Sequence, residues 1–380
     1  MTEKLYYKDA YLKNFSARVL SCTAVDGGFE VILDKTAFFP EEGGQYADTG
    51  RIDGITVSDV REAEGVIYHK TASFITVGKT VACELDFDAR FEKMQCHTAE
   101  HIISGVLHSL YGVDNVGFHL GAEDVTLDIS RPLTWDELMR AEELVNRAIF
   151  ENIEVVAYYP TPEELKGLEY RSKLDLTENV RIINIEGYDS CACCAPHVKY
   201  TGEIGSLKIL DAVKMRGGMR ITVTAGKRAY NTVRVAFENL AAISRLLSVP
   251  KLEGADAVTR LLATAEEYKA EIKKLRIGAV VAEAEKIPYS GGDLVYFFRD
   301  ADYDALRAAV NLLSPKLDGT LVLLSGEGGG YKYVILKKGA DLRSEIKAIN
   351  AALSGRGGGN GEFAQGTFLA TADEIRDFFK

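Results

Sequence analysis

The pair His97 and His101 in "MQCHTAEHIISGVLHSLYG" and the pair Cys193 and His197 in "GYDSCACCAPHVKY" constrain the fold of this chain more than any other feature. Each pair sets two metal-ligand residue types four positions apart. On a helix, side chains four apart share a face, so His97 and His101 can aim their rings at one point. Alone, that pair is equally at home on a structural or solvent-facing helix. Thiolate and imidazole together suit zinc, and a His-His-Cys-His set fills a four-coordinate site. For that to happen, segments roughly ninety residues apart must fold back onto one another. Three cysteines in four positions (Cys191, Cys193 and Cys194) are hard to explain as packing alone. Spacing favours Cys193 as the ligand, with Cys191 the alternative.

HTAEH also satisfies the H-x-x-E-H pattern of one class of metalloproteases. That class takes a downstream carboxylate as third ligand, and the Cys193/His197 pair has no place in it. Glu100, inside the motif, is either a base or a solvent-facing or supporting neighbour of the ligands. The six cysteines are too sparse for a secreted disulfide scaffold and fit a reducing cytoplasm. No apolar run approaches the roughly 18 residues of a membrane span, and "MTEKLYYKDAYLKNF" does not read as a signal peptide. Net charge is −11, which on average repels nucleic acid. Locally the balance reverses: between Pro196 and Arg234 eight basic residues, Arg220 among them, face two acidic ones. Such a strip suits a polyanionic partner, or is simply a solvated face.

The hydropathy pattern predicts an α+β multidomain chain. Residues 1–88 alternate in short runs, as in "ARVLSCTAVDGGFEVILD" and "TVACELDFD", with a hairpin signal at Asp26-Gly27-Gly28; a small β-barrel or sandwich is expected. Residues 89–227 predict an α+β domain with an antiparallel sheet. It holds a helix from about Arg90 to Tyr111, buried through Ile102, Ile103, Val106, Leu107 and Leu110, and strands at "VGFHL" and "DVTLDIS". Thr134 and Glu137 form a capping box before a further helix. Residues 228–286 read as a helical coiled-coil arm suited to spacing or dimerisation, and 287–380 as a C-terminal α/β domain. The glycine-rich 355–361 stretch is expected to be a loop, either a connector or an anion nest for RNA phosphate.

The ordered set T-x-F-(x)-G-G-Q in "KTAFFPEEGGQYADTG", then H-T-A-x-H, then C-x-x-x-H resembles the editing region of alanyl-tRNA synthetases. More closely, it resembles the free-standing alanyl-tRNA editing proteins (the AlaX type). "VGFHLGAEDVTLDI" is similar to the free-standing members, and "GRGGGNGEFAQGTF" to the synthetase's C-terminal domain. The resemblance implies Zn2+ held by His97, His101, Cys193 and His197, with Thr36 and Gln45 lining the aminoacyl pocket. Gly43, Gly44, His119 and Arg220 are the expected substrate-binding positions, and Glu100 is counted with the catalytic group. One departure stands out: where the synthetase reads C-G-G-T-H, this chain has Cys193-Cys194-Ala195-Pro196-His197.

The implied activity is hydrolysis of mischarged tRNA(Ala), chiefly the seryl ester, with the glycyl ester left open. Alanine differs from serine by one hydroxyl, and a pocket that accepts alanine rejects serine poorly. A second site that requires the hydroxyl can discriminate roughly 10⁴-fold. A homodimer through the arm and the C-terminal domain is the expected assembly. The rival reading is a non-catalytic tRNA-binding factor with a structural zinc.

Overall fold

The computed structural model describes residues 1–121, 125–172, 179–316 and 318–380. Residues 122–124, inside "VGFHLGAEDVTLDI", include the first residue of one expected strand and lie outside the described residues. Contacts divide the chain into two compact units, Met1–Asn239 and Leu240–Lys380. Among the described residues no helix is long and apolar enough to cross a membrane.

In the first unit, six strands pair in a closed ring: Asn14–Val25, Gly28–Leu33, Val66–Thr71, Ile55–Ala63, Gly50–Ile52 and Thr80–Leu85. The last strand alternates strictly between exposed and buried, as a one-sided barrel wall must. Val19, Val31, Leu33, Ile52, Val57, Ile67 and Val81 fill the interior. The two-residue Asp26-Gly27 connection follows from Val25 pairing with Gly28.

Helix α1 (Phe87–Tyr111) leaves the barrel directly. It starts three residues before the expected boundary because the Asp86 side chain caps it, accepting from the Ala89 N–H. From Cys96 to Leu107 every residue is buried, so the helix lies between layers rather than on a surface. Leu110 departs from the expectation: on the last turn, it is 43% exposed. Beneath α1 runs a four-stranded antiparallel sheet in the order Leu207–Met215, Gly218–Ala225, Val125–Ile129, Asn115–Leu120. Its Leu120, Val125, Leu127 and Ile221 share one core with Ile102, Ile103 and Val106 of the helix. A three-stranded sheet of Val155–Tyr158, Ile182–Ile185 and Asp189–Ala192 completes the layer around the helix. Helix α2 (Trp135–Glu151) begins with the Thr134/Glu137 capping box, and α3 (Pro162–Gly167) with a second one at Thr161/Glu164. Helix α4 (Gly226–Leu247) follows the last strand of the larger sheet.

The second unit contains α5 (Gly254–Glu285), whose Val280 and Ala284 pack into a core with α6 (Tyr303–Leu313). Its sheet runs Leu294–Phe298, Thr320–Ser325, Tyr331–Lys337, Phe363–Phe368, Arg356–Asn360; the first pair is parallel and the rest antiparallel. Helices α7 (Leu342–Ala352) and α8 (Ala372–Phe378) complete it. The glycine-rich stretch is therefore not a loop, since residues 356–360 form an edge strand. Its glycines serve close approach: a Cβ on Gly357 would sit 2.2 Å from the Tyr333 hydroxyl, whose ring stacks on Phe368 at 3.9 Å.

Candidate metal centre

His97 and His101 lie one turn apart on the buried stretch of α1, each 2% exposed. The Asp189–Ala192 strand delivers Cys193 to them, and the turn through Pro196 returns His197. Arg181 clamps that turn. Its carbonyl accepts from the Cys193 N–H at 3.0 Å, and its guanidinium donates to the carbonyls of Cys193 (2.9 Å) and Ala195 (2.8 Å). Gly105, one turn beyond His101, lets this strand reach the helix, because a Cβ there would meet the Tyr188 carbonyl at 2.2 Å. The ligand atoms of His97, His101, Cys193 and His197 all lie within 4.8 Å of one another. Cys193 Sγ is 3.6 Å from His97 Nε2 and 3.4 Å from His197 Nε2.

The donor set passes a chemical test of fit. Each imidazole has its Nδ1 engaged by an acceptor outside the cluster: Gln45 Oε1 for His97 (3.0 Å), Asp189 Oδ2 for His101 (2.9 Å) and Thr98 Oγ1 for His197 (3.0 Å). The Thr98 hydroxyl proton already goes to the Met94 carbonyl at 2.7 Å, so its oxygen can accept from His197. Protonated Nδ1 leaves Nε2 as the free donor, the arrangement that metal-bound histidines adopt. Burial alone would raise the Cys193 thiol, but the imidazoles around it, His97 first, hold its pKa well below the ordinary value. Burial pushes Cys191 up to about 11 and raises Cys194 further still. Burial likewise lowers His197 to about 3, leaving it neutral. One thiol with three imidazoles is a zinc-type donor set. It contains no carboxylate, unlike the third ligand of the H-x-x-E-H class.

Of the other expected site residues, the structure brings Gln45 to the cluster. Gln45 is fully buried, and among the described residues its Nε2 has no hydrogen-bond partner. Gly43 and Gly44 carry it there. The Leu120 N–H donates to the Gly44 carbonyl at 2.8 Å, and Gln45 bridges to Leu120. Gly44 has φ +81, and a Cβ would lie 2.4 Å from the Phe118 carbonyl. Gly44→Ala should therefore cost more than about 1 kcal/mol in urea denaturation and displace Gln45.

Thr36 is fully buried, with its hydroxyl turned into the barrel. His69 Nδ1–H donates to the Val31 carbonyl at 3.0 Å, so its Nε2 accepts the Thr36 hydroxyl proton at 2.8 Å. Full burial lowers His69 to about 4, which keeps it neutral in this role. Glu100 is buried and accepts from Ser104 (2.6 Å) and from Asn115. His119 is exposed on the Asn115–Leu120 strand. Arg220 forms a two-bond ion pair with Asp128, both bonds 2.7 Å. Lys208, Arg228 and Arg234 of the basic strip are also held in ion pairs, so half of its eight charges have acidic partners.

Sequence reasoning passed over Asp189, Thr98, Arg171 and Arg181. Thr98 stands inside the histidine motif, and Asp189 shortly before the cysteines, where a partner for a ligand histidine could have been sought. It also passed over the joint that fastens α1 to the Gln45 loop. Asp48 receives Arg90 Nε at 2.8 Å, Lys93 Nζ at 3.0 Å and the Phe39 N–H at 2.8 Å, while Arg90 and Lys93 also reach the carbonyls of Ala37 and Ala47.

A buried cluster of three imidazoles and one thiol beside a barrel loop is what the residues define. The family model described as the threonyl and alanyl tRNA synthetase second additional domain matches residues 180–222, the segment carrying Cys193 and His197. That of class II (A) tRNA synthetases matches residues 5–89. The chain is 31% identical to the alanyl-tRNA editing protein AlaX-L of Pyrococcus horikoshii, over 99% of this chain and 97% of that protein. It is 34% identical to the alanine-tRNA ligase of Thermococcus kodakarensis, over 96% of this chain and 41% of the ligase. Among solved structures, the C-Ala domain of Aquifex aeolicus alanyl-tRNA synthetase matches at 20% identity and a TM-score of 0.21, covering 23% of this chain and 86% of that one. The chain belongs to the alanyl-tRNA editing protein family.

Proposed function

We propose that this chain is an aminoacyl-tRNA deacylase that hydrolyses mischarged tRNA(Ala), chiefly Ser-tRNA(Ala), with Zn2+ held by His97, His101, Cys193 and His197. The observation that carries this reading is the convergence of those four side chains beside a buried glutamine with an unspent amide. When bound, zinc supplies Lewis-acid polarisation and a lowered pKa for coordinated water. The chain's own residues orient and select. Gln45 Oε1 fixes His97, and its free Nε2–H donates to the seryl hydroxyl. Thr36, its proton committed to His69 and its oxygen accepting from the Phe38 N–H, braces the barrel wall of the same pocket. Glu100 orients Ser104 and Asn115 rather than taking a proton. His119 lines the approach, while Arg220 and the basic strip meet the acceptor-stem phosphates.

The four-part division into 1–88, 89–227, 228–286 and 287–380 then separates pocket wall, metal centre, arm and RNA-facing end. Val258, Leu261, Tyr268, Ile272 and Leu275 of α5 are all exposed, spaced three, seven, four and three residues apart with the small Ala265 standing in the wide gap. That seam supports a homodimer formed through the arm. A cytoplasmic location follows from the proposed substrate.

One observation favours the rival reading: four protein ligands can close a tetrahedral site and make the zinc structural. Rates on Ser-tRNA(Ala) and Ala-tRNA(Ala) decide. The expected result is a preference for the seryl ester of at least about a hundredfold. Gln45→Ala should shrink it by at least about tenfold, since the pocket loses its donor to the hydroxyl. Equal rates on the two esters would end the editing proposal. No hydrolysis, with zinc bound and tRNA held, would install the structural one.

A further inference from the structure

Next to the four-residue cluster lies a second group of ligand types, His101, Asp189 and Cys191, whose ligand atoms also fall within 4.8 Å of one another. It is either a second metal site sharing His101 or a support for the first. The bonding of Asp189 decides between them. Its side chain is 1% exposed, and both oxygens are already taken. Oδ1 accepts from Arg171 Nε at 2.7 Å; Oδ2 accepts from Arg171 Nη2 and from His101 Nδ1, each at 2.9 Å. A cation bound there would have to displace a guanidinium and then sit against its charge.

Arg171 is in turn fixed by the strand it serves. Its N–H donates to the Ser190 carbonyl at 2.8 Å, and its carbonyl accepts from the Ala192 N–H at 2.9 Å. The strand that ends at Cys193 thus holds the arginine main chain, while the arginine side chain holds the strand's first residue.

We propose that Arg171 and Asp189 are a positioning pair for the metal centre, holding His101 with Nδ1–H outward and Nε2 toward Cys193. Metal affinity then depends on two residues that never touch the ion. The inference rests on the four-residue cluster being the metal site, and it is independent of which ester is hydrolysed.

The test is zinc affinity of the full chain by competition with a chromophoric chelator, joined to the Co2+ absorption spectrum and a thermal melt. Asp189→Asn should weaken zinc binding by about 10–100-fold and alter the Co2+ spectrum. Arg171→Met should move both in the same direction by less, and Arg171→Lys should recover part of the loss. Cys191→Ala should keep wild-type affinity, with one ion per chain throughout. If Asp189→Asn does not fold, Arg171→Met carries the test, since that side chain lies at the 20% exposed edge of the group. Wild-type affinity and spectrum in both variants would overturn the positioning role while leaving the centre intact. Two ions per chain, one of them lost in Cys191→Ala, would replace it with a second site. A wild-type chain that binds no zinc would remove the centre itself, and this inference with it.

Discussion

Cys193→Ala is expected to abolish stoichiometric zinc binding and to lower seryl-ester hydrolysis by more than about a hundredfold, while Cys191→Ala leaves both near wild type. The magnitude follows from comparison, because losing an outer partner of a metal ligand already costs 10–100-fold and losing the ligand costs more. The contrast between the two cysteines follows from their surroundings. Cys193 Sγ faces Nε2 of both His97 and His197, and the imidazoles around it, His97 first, hold its pKa well below the ordinary value against the effect of burial. Cys191 is half-buried and directs its thiol to the Ala192 carbonyl at 3.6 Å; desolvation outweighs the pull of His101 and Arg171 beside it and raises its pKa to about 11. Only a thiolate is a strong zinc ligand. Metal content by mass spectrometry and single-turnover deacylation of each variant check the prediction.

The largest stability effect is expected at Asp48. Its side chain is 1% exposed and stands between Arg90 and Lys93, both fully buried. Asp48→Asn would leave two buried cations without their anion, a loss of about 3–5 kcal/mol. Chemical denaturation measures it directly. Arg220→Ala is the control: its pair with Asp128 lies half in solvent, and the midpoint should barely move. The pH dependence has a definite sign. Burial raises the Asp48 pKa, but Arg90 and Lys93 outweigh it and hold the carboxyl below its ordinary value. Its stabilisation is therefore complete above the unfolded pKa of about 3.9 and is lost as pH falls through the folded one. The gap between wild type and Asp48→Asn should narrow below about pH 4. Because Asp48 anchors α1 to the Gln45 loop, Asp48→Asn should also slow deacylation.

The parts of this protein that follow local rules could be read from its sequence. The capping box at Thr134 and Glu137 forms as the spacing requires, and the expected apolar positions of α1 other than Leu110 face the sheet core. Its start lies three residues before the expected one, because Asp86 caps it from within what reads as the preceding strand. The edge strand 356–360 was hidden for a different reason. Glycine has low strand propensity, and the approaches that exclude a Cβ, the Tyr333 hydroxyl at Gly357 and the Phe363 carbonyl at Gly359, come from neighbouring strands.

Within the site, legibility divides along the same line. Four-residue spacings marked out the residues that gather at the centre. Their partners were not marked, because Asp189 is one of 56 acidic residues and nothing local ties it to His101. Thr36 shows the converse. A motif position suggested a pocket hydroxyl, yet a histidine 33 residues on takes its proton. Hydrogen-bond partners are set by tertiary structure, and neither composition nor periodicity encodes them.

X-ray absorption at the zinc edge of the purified full chain tests the central claim most directly. The geometry predicts one sulfur at about 2.3 Å and three imidazole nitrogens at about 2.0–2.1 Å. Two sulfurs would bring Cys191 or Cys194 into the ligand set, and no sulfur, or no zinc at all, would contradict the centre on which the account rests.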